Sequence, residues 1–326
     1  MTAARRRGRG SKNATAGGGR ERRQRAAGSP SKAATPISRK ALQTTSKDAP
    51  RRPDATLLEW PLQQPYPIDW VMTFLARRAI AGHEYVDAAG VFRRRLAPER
   101  WLEAWVDDST LRVRVPAGCD RADSLARVRQ IFDADLDPAS MLAHLSSSAR
   151  LAPFVAAQPG LRVPGAWDGF ELAVRAILGQ QVSVERMTRL TQILIERYGD
   201  GGFPGAAVLA RENPAGIGLP GARGRAIQEL ARRVAAGDLE VSARMDHAAL
   251  RDALCAIPGI GPWTAEYVAM RAGRDADAFP DSDWVVLKVL GTTAAGARKI
   301  AEPWRPWRAY ALMYLWYSSR LTKVPG

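Results

Sequence analysis

Three sets of side chains in the C-terminal half could do chemistry. In Ile257-Pro258-Gly259-Ile260-Gly261-Pro262-Trp263 two glycines flank one apolar residue, and Pro258 and Pro262 stiffen the entry to the turn and the start of the segment after it. The pattern predicts a helix, a tight hairpin with positive φ at its glycines, and a second helix. Glycine amides there, with those opening the next helix, converge on a point that a phosphate can approach because no Cβ intervenes. Alone, a Gly-x-Gly before a helix is a weak signal that also fits a plain connector. Further on, Phe279-Pro280-Asp281-Ser282-Asp283 leads into an apolar helical run at 284–290, which sets Asp283 at the N-cap, where backbone donors and the macrodipole suit a negative charge. The third set is aromatic. Trp307, Tyr310, Tyr314 and Tyr317 recur every three or four residues along 304–317, and Trp316 lies on a neighbouring face. An electron-rich cleft of this kind suits a cationic planar ligand, at about 0.5–2 kcal/mol per desolvated contact.

The hairpin, the aspartate at its distance from the hairpin and the terminal aromatic helix together resemble the helix-hairpin-helix DNA glycosylases, most closely the DNA-3-methyladenine glycosylase II branch, over about 55–320. The resemblance implies Asp283, not Asp281, as the catalytic carboxylate. It implies Trp263, Tyr267, Trp316, Tyr317 and Phe74 in a base pocket, Gln181 as the wedge that fills the gap left by a flipped nucleotide, and Gly259, Gly261 and Thr264 as phosphate-binding amides. Family members also hold a monovalent cation on hairpin carbonyls, here those of Cys255, Ile257 and Gly259. Bifunctional members carry a Schiff-base lysine where this chain has Trp263, so a monofunctional hydrolase without a lyase step is expected. Glutamine at 181 departs from the better-known leucine wedge. Phe74 equally fits a core position, being at helical spacing from Trp70 and Val71. A glycosylase for oxidised or deaminated purines and a non-catalytic DNA-binding module are the competing readings.

The elements that must position these residues emerge from composition and periodicity. The chain has 326 residues, 46% of them hydrophobic, enough for a substantial core. Residues 1–54 hold fifteen Lys and Arg against three acids, most of the net +15, with few large apolar residues. That composition predicts a disordered basic tail, either drawn to polyphosphate or a solvated tail without a dedicated role, and its Arg-rich, acid-poor start also fits an organelle transit peptide. Period-two alternation predicts strands at 56–60, 84–96, 101–106 and 111–115, with helices at 69–78 and 123–132, a small α+β domain at 55–145.

From 146 to 326 the periodicity is helical. Phe170, Ala173, Val174, Ile177 and Leu178 share one face, a break comes at Gly179-Gln180-Gln181-Val182-Ser183, and helices are predicted at 206–211, 223–236, 246–254, 262–272, 284–290, 295–302 and 306–320. The expected fold class is α+β, a mostly helical bilobal helix-hairpin-helix core beside a smaller antiparallel-sheet domain. No apolar run is long enough to span a membrane. Cys119 and Cys255 cannot supply a four-cysteine iron–sulfur cluster, so no cofactor is expected beyond a structural sodium or potassium ion. The expected partner is damaged double-stranded DNA, and the expected setting is a monomer in the cytoplasm, associated with the nucleoid if bacterial.

Overall fold

The sheet is built by β1 (Ala55–Pro61), β2 (Glu84–Val86), β3 (Phe92–Ala97), β4 (Arg100–Asp107) and β5 (Thr110–Pro116), paired antiparallel in the order β1-β5-β4-β3-β2. The computed structural model describes residues 55–321, so the basic tail expected at 1–54 lies outside the described residues. Strict alternation in β5 buries Leu111, Val113 and Val115 while its arginines face away. Helix α2 (Arg121–Phe132) closes over that face, with Phe132 edge-on to Phe92 of β3 at 6.1 Å. The strand predicted across 84–96 is in fact a hairpin. Asp87 Oδ1 accepts from the amides of Ala89 and Val91 at 3.0 and 2.9 Å, Gly90 takes φ 77°, and the chain reverses between β2 and β3.

The remaining helices are α1 (Ile68–Ala76), inserted between β1 and β2, then α3 (Ala139–Ser146), α4 (Ala152–Ala157), α5 (Gly169–Leu178), α6 (Val184–Tyr198), α7 (Ala206–Arg211), α8 (Gly221–Ala236), α9 (His247–Cys255), α10 (Pro262–Arg271), α11 (Trp284–Leu290), α12 (Ala294–Ala301) and α13 (Arg308–Leu321). The architecture is the expected α+β. Asp168 caps α5 through the Glu171 amide, and the predicted apolar face of α5 is buried together with Leu172 and Ala176 on its other sides, so this helix runs through the interior.

Charged side chains latch the sheet to the helices. Arg94 of β3 donates to Glu84 and to Glu171 of α5, both at 2.6 Å, and Arg175 pairs with the same two carboxylates. All four lie largely out of water, where breaking one partner costs about 3–5 kcal/mol because the other charge is stranded. Burial pushes Glu171 upward, but Arg94, His83 and Arg175 outweigh it and hold its carboxyl well below the usual range. A second buried arginine, Arg162, donates to the carbonyls of Leu136 and Gln63 at 2.9 and 2.7 Å, while its own carbonyl accepts from the Trp70 indole at 2.9 Å. This fixes α1, and with it Phe74, against the helical part.

Candidate active site

Asp246 caps α9 through the Ala249 amide, and the turn after α9 closes with the Ile260 amide on the Ile257 carbonyl at 3.0 Å. The expected positive φ occurs at Gly259, at 96°, where a Cβ would also press on Ala226 of α8 at 3.1 Å. Gly261 differs from expectation. It is extended (φ −95°, ψ 174°) and is the N-cap of α10, with Pro262 at the first helical position. Its glycine is not required by backbone conformation, and a Cβ there would meet open space. The amides of Gly259 and Gly261 have no hydrogen-bond partner among the described residues. The Thr264 amide, by contrast, donates to the Gly261 carbonyl at 3.0 Å, and Thr264 is buried. The expected trio of phosphate donors is thus not equivalent: Thr264 N–H is spent inside the first turn, while the two glycine amides are open.

Asp283 caps α11. Its Oδ1 accepts from the amides of Val285 and Val286 at 3.1 and 3.2 Å and from the Trp316 indole at 3.1 Å; its Oδ2 accepts from the Trp263 indole at 3.1 Å. One oxygen is therefore filled by three donors and the other holds one, with lone-pair capacity left over. The side chain is fixed in orientation while the residue stays 8% exposed. Asp281, two residues earlier, is committed elsewhere: its Oδ2 takes both Nε and Nη2 of Arg298 at the surface, at 2.8 and 2.5 Å.

The aromatic residues expected in the pocket form two stacks that meet at this carboxylate. Trp263 lies parallel to Tyr267 at 5.3 Å, and Trp316 lies near-parallel to Phe74 at 6.4 Å. Each tryptophan offers its N–H to one carboxylate oxygen. Tyr317 stands edge-on to Trp70 at 6.3 Å. Phe74 does not face open space. It is 1% exposed, and its ring is covered by Arg78 at 3.7 Å and Arg271 at 4.9 Å on top of its contact with Trp316, so it backs Trp316 rather than presenting a face. Arg271 donates to the Tyr267 hydroxyl at 2.7 Å and to the carbonyls of Pro164 and Gly165 at 2.7 and 2.6 Å. Burial alone would raise the Tyr267 hydroxyl, but Arg271 and Arg78 outweigh it and bring it down to about 8.

Gln181, the expected wedge, is exposed at the tip of the loop between α5 and α6 and holds φ 55°, a left-handed backbone that non-glycine residues seldom adopt. Periodicity gave no hint of two further residues. Gln180 reaches the hairpin through its side chain, and Trp284, read from sequence as part of an apolar run, is 71% exposed directly after Asp283. The only sequence feature that could have marked it is a large aromatic placed directly after a cap residue; its exposure is seen only in the structure.

Two groupings bear on metals. His83, Glu84 and Glu171 lie close enough to share an ion, but Arg94 and Arg175 already neutralise both carboxylates, which argues against a divalent site there. At the hairpin, the Ile257 carbonyl accepts from Ile260 N–H and the Gly259 carbonyl accepts from Gln180 Nε2 at 2.9 Å, which leaves one lone pair on each oxygen.

Several known proteins are similar to this chain. A family model described as the AlkA N-terminal domain matches residues 57–168. DNA-3-methyladenine glycosylase 2 of Escherichia coli is 35% identical over 280 residues, which are 80% of this chain and 96% of that protein. The probable bifunctional transcriptional activator/DNA repair enzyme AlkA of Mycobacterium tuberculosis is 34% identical across 79% of this chain, which spans 56% of the length of that larger protein. Among solved structures, the 3-methyladenine DNA-glycosylase from Archaeoglobus fulgidus aligns with a TM-score of 0.69 at 20% identity, over 82% of this chain and 100% of that one, a likeness of fold.

Proposed function

Because the chain belongs to the AlkA family of DNA-3-methyladenine glycosylases, we infer that it is a DNA repair hydrolase that flips alkylated bases, of the 3-methyladenine and 7-methylguanine class, out of duplex DNA and cleaves their N-glycosyl bond. The observation that carries this reading is Asp283: a carboxylate held by four donors, two of them the indoles of stacked aromatic pairs.

Each part then has a task. The open amides of Gly259 and Gly261, with the missing Cβ at Gly261, take strand phosphates without reading sequence. Gln181, displayed by its left-handed backbone, enters the duplex as the nucleotide leaves, and unstacking costs a few kcal/mol, less at weakened pairs. Trp263, backed by Tyr267, and Trp316, backed by Phe74, give π faces to a base made cationic by alkylation, with Tyr317 beside them. A cationic base leaves without prior protonation, so no general acid is needed. As the glycosidic bond lengthens, the sugar gains oxocarbenium character, and the Asp283 carboxylate stabilises that charge in a site with little water. Its Oδ2, with one donor instead of three, is the oxygen free to orient or deprotonate the attacking water. No lysine stands at 263, so the product is an intact abasic strand.

The remaining lone pairs of the Ile257 and Gly259 carbonyls, with that of Cys255, form a neutral oxygen set suited to a monovalent cation, which would screen an approaching phosphate. We assign the protein to the bacterial cytoplasm as a monomer acting on damaged double-stranded DNA. Bacterial relatives support the setting, and among the described residues no helix is long and apolar enough to cross a membrane. Both indole N–H groups are spent on Asp283, which leaves the aromatic walls few free donors for a Watson–Crick edge and disfavours oxidised or deaminated purines as the main substrates. Chromatography of bases released from methylated duplex DNA tests the reading: free 3-methyladenine supports it, whereas release confined to hypoxanthine or 8-oxoguanine duplexes would overturn it.

A further inference from the structure

The loop that presents Gln181 is tied down in an unequal way. On one side the Gly179 amide continues α5 by donating to the Arg175 carbonyl at 2.9 Å; on the other, Ser183 caps α6 through the Arg186 amide at 3.2 Å. Between these anchors the backbone bonds are long, 3.3 Å from Gln180 N–H to the Ile177 carbonyl and 3.4 Å from Val182 N–H to the Gly179 carbonyl. Gln181 nevertheless sits at φ 55°. A left-handed non-glycine residue costs on the order of 1–2 kcal/mol and persists only where its surroundings over-determine it.

What holds it lies on the hairpin. Gln180 Nε2 donates to the Gly259 carbonyl at 2.9 Å and to Thr264 Oγ1 at 3.1 Å, two groups of the hairpin that are remote in sequence. Both protons of one amide are used, and both acceptors belong to the element proposed to grip phosphate. The acceptors are packed into the hairpin. Gly259 turns at φ 96° close against Ala226, and Thr264 is buried in the first turn of α10.

We propose that Gln180 is a positioning residue that ties the wedge loop to the phosphate-gripping hairpin, so that seating the strand on the hairpin and inserting Gln181 into the duplex occur as one motion of one rigid unit. This rests on the reading of Gln181 as wedge and of the hairpin as phosphate grip. Both bonds of the Gln180 side-chain amide go to the hairpin. Gln180 works through Gln181, by keeping that residue in the conformation that projects into the gap. Without it the loop relaxes toward right-handed backbone, and fewer encounters with DNA arrive with the wedge already presented.

The test is a double-mutant cycle. Gln180→Met keeps the shape of the side chain and removes both donors; Gln181→Ala removes the wedge. Each single variant and the double variant are measured for single-turnover release of 3-methyladenine, and for fluorescence of a 2-aminopurine placed opposite the lesion, which reports unstacking on insertion. The expected result is about a tenfold slower release and a smaller fluorescence rise for Gln180→Met, and no further loss when Gln180→Met is added to Gln181→Ala, because the two act as a unit. A residue with only a structural role would give multiplicative losses instead, and that outcome overturns the proposal. So does a Gln180→Met variant as fast as wild type while Gln181→Ala is slow. If Gln181→Ala itself is as fast as wild type, the wedge reading has failed and the tie has nothing to position. Should Gln180→Met unfold, Gln180→Glu replaces it in the same cycle: it removes both donated bonds, setting carboxylate oxygens where Nε2 donated to the Gly259 carbonyl and to Thr264 Oγ1, and the same outcomes decide.

Discussion

Replacing Asp283 by asparagine should destabilise the fold through one indole in particular, and a second substitution should relieve it. Asparagine has one acceptor oxygen where aspartate has two. Set on the side of Oδ1, that oxygen keeps the amides of Val285 and Val286 and the Trp316 indole; the NH2 group then faces the Trp263 N–H, which now stands 3.1 Å from Oδ2, donor against donor. A hydrogen bond to a charged group is lost and two donors are opposed, about 1–3 kcal/mol, toward the lower half because Trp263 is only partly buried. In a domain of this size that is a fall in Tm of about 2–4 °C per kcal/mol. Trp263→Phe removes the opposing donor and keeps an aromatic ring over Tyr267. It should cost clearly less in the Asp283→Asn background than in wild type, with a coupling of about 1–2 kcal/mol by urea denaturation of all four proteins. Additivity within about 0.5 kcal/mol would refute the assignment of Oδ2 to Trp263, and with it the inequality of the two carboxylate oxygens.

Phe74→Ala should lose about 3–5 kcal/mol of stability by cavity formation, since the ring is 1% exposed, and should slow base release only as far as Trp316 shifts; a variant that unfolds normally yet releases no base would return Phe74 to direct contact. Borohydride added during turnover should trap no enzyme–DNA adduct, and a covalent band on denaturing gels would defeat the monofunctional reading. Tyr267 should ionise near pH 8, visible as tyrosinate absorbance absent from Tyr267→Phe. Because its folded value lies below the ordinary value of 10.0, the ionised hydroxyl contributes stability that is complete above pH 10 and is lost as pH falls through about 8, so the gap in stability between wild type and Tyr267→Phe should widen from pH 8 to 10.

Much of the site was legible because it rests on local rules. The N-cap at Asp283, the proline start of α10 and the apolar face of α5 arise from residue chemistry within a few positions, and each stands where the sequence put it. What escaped was in part local turn and cap geometry and in part contacts between segments remote in the chain. The turn at Asp87–Gly90 split one predicted strand because an aspartate side chain and a glycine outweighed alternation. Gly261 is extended because it serves as a cap, and only the position of its absent Cβ shows what the glycine permits. Phe74 sits behind Trp316 because Arg78, one helical turn on, and Arg271, remote in the chain, cover its ring. Gln180 and the latch of Arg94, Arg175, Glu84 and Glu171 join segments far apart in sequence, which no window of residues can reveal.

The central claim is that the carboxylate of Asp283 stabilises the sugar as the glycosidic bond breaks rather than merely capping a helix. It is tested most directly by single-turnover release of 3-methyladenine from a duplex by wild type and by Asp283→Asn, with affinity for an abasic-analogue duplex measured alongside. Asparagine still caps α11, so the variant should remain folded at the assay temperature and bind nearly as well, while the rate falls by at least about 10²-fold, the scale for removing one preorganised charge-stabilising group. A variant that releases base within a few-fold of wild type would contradict the account.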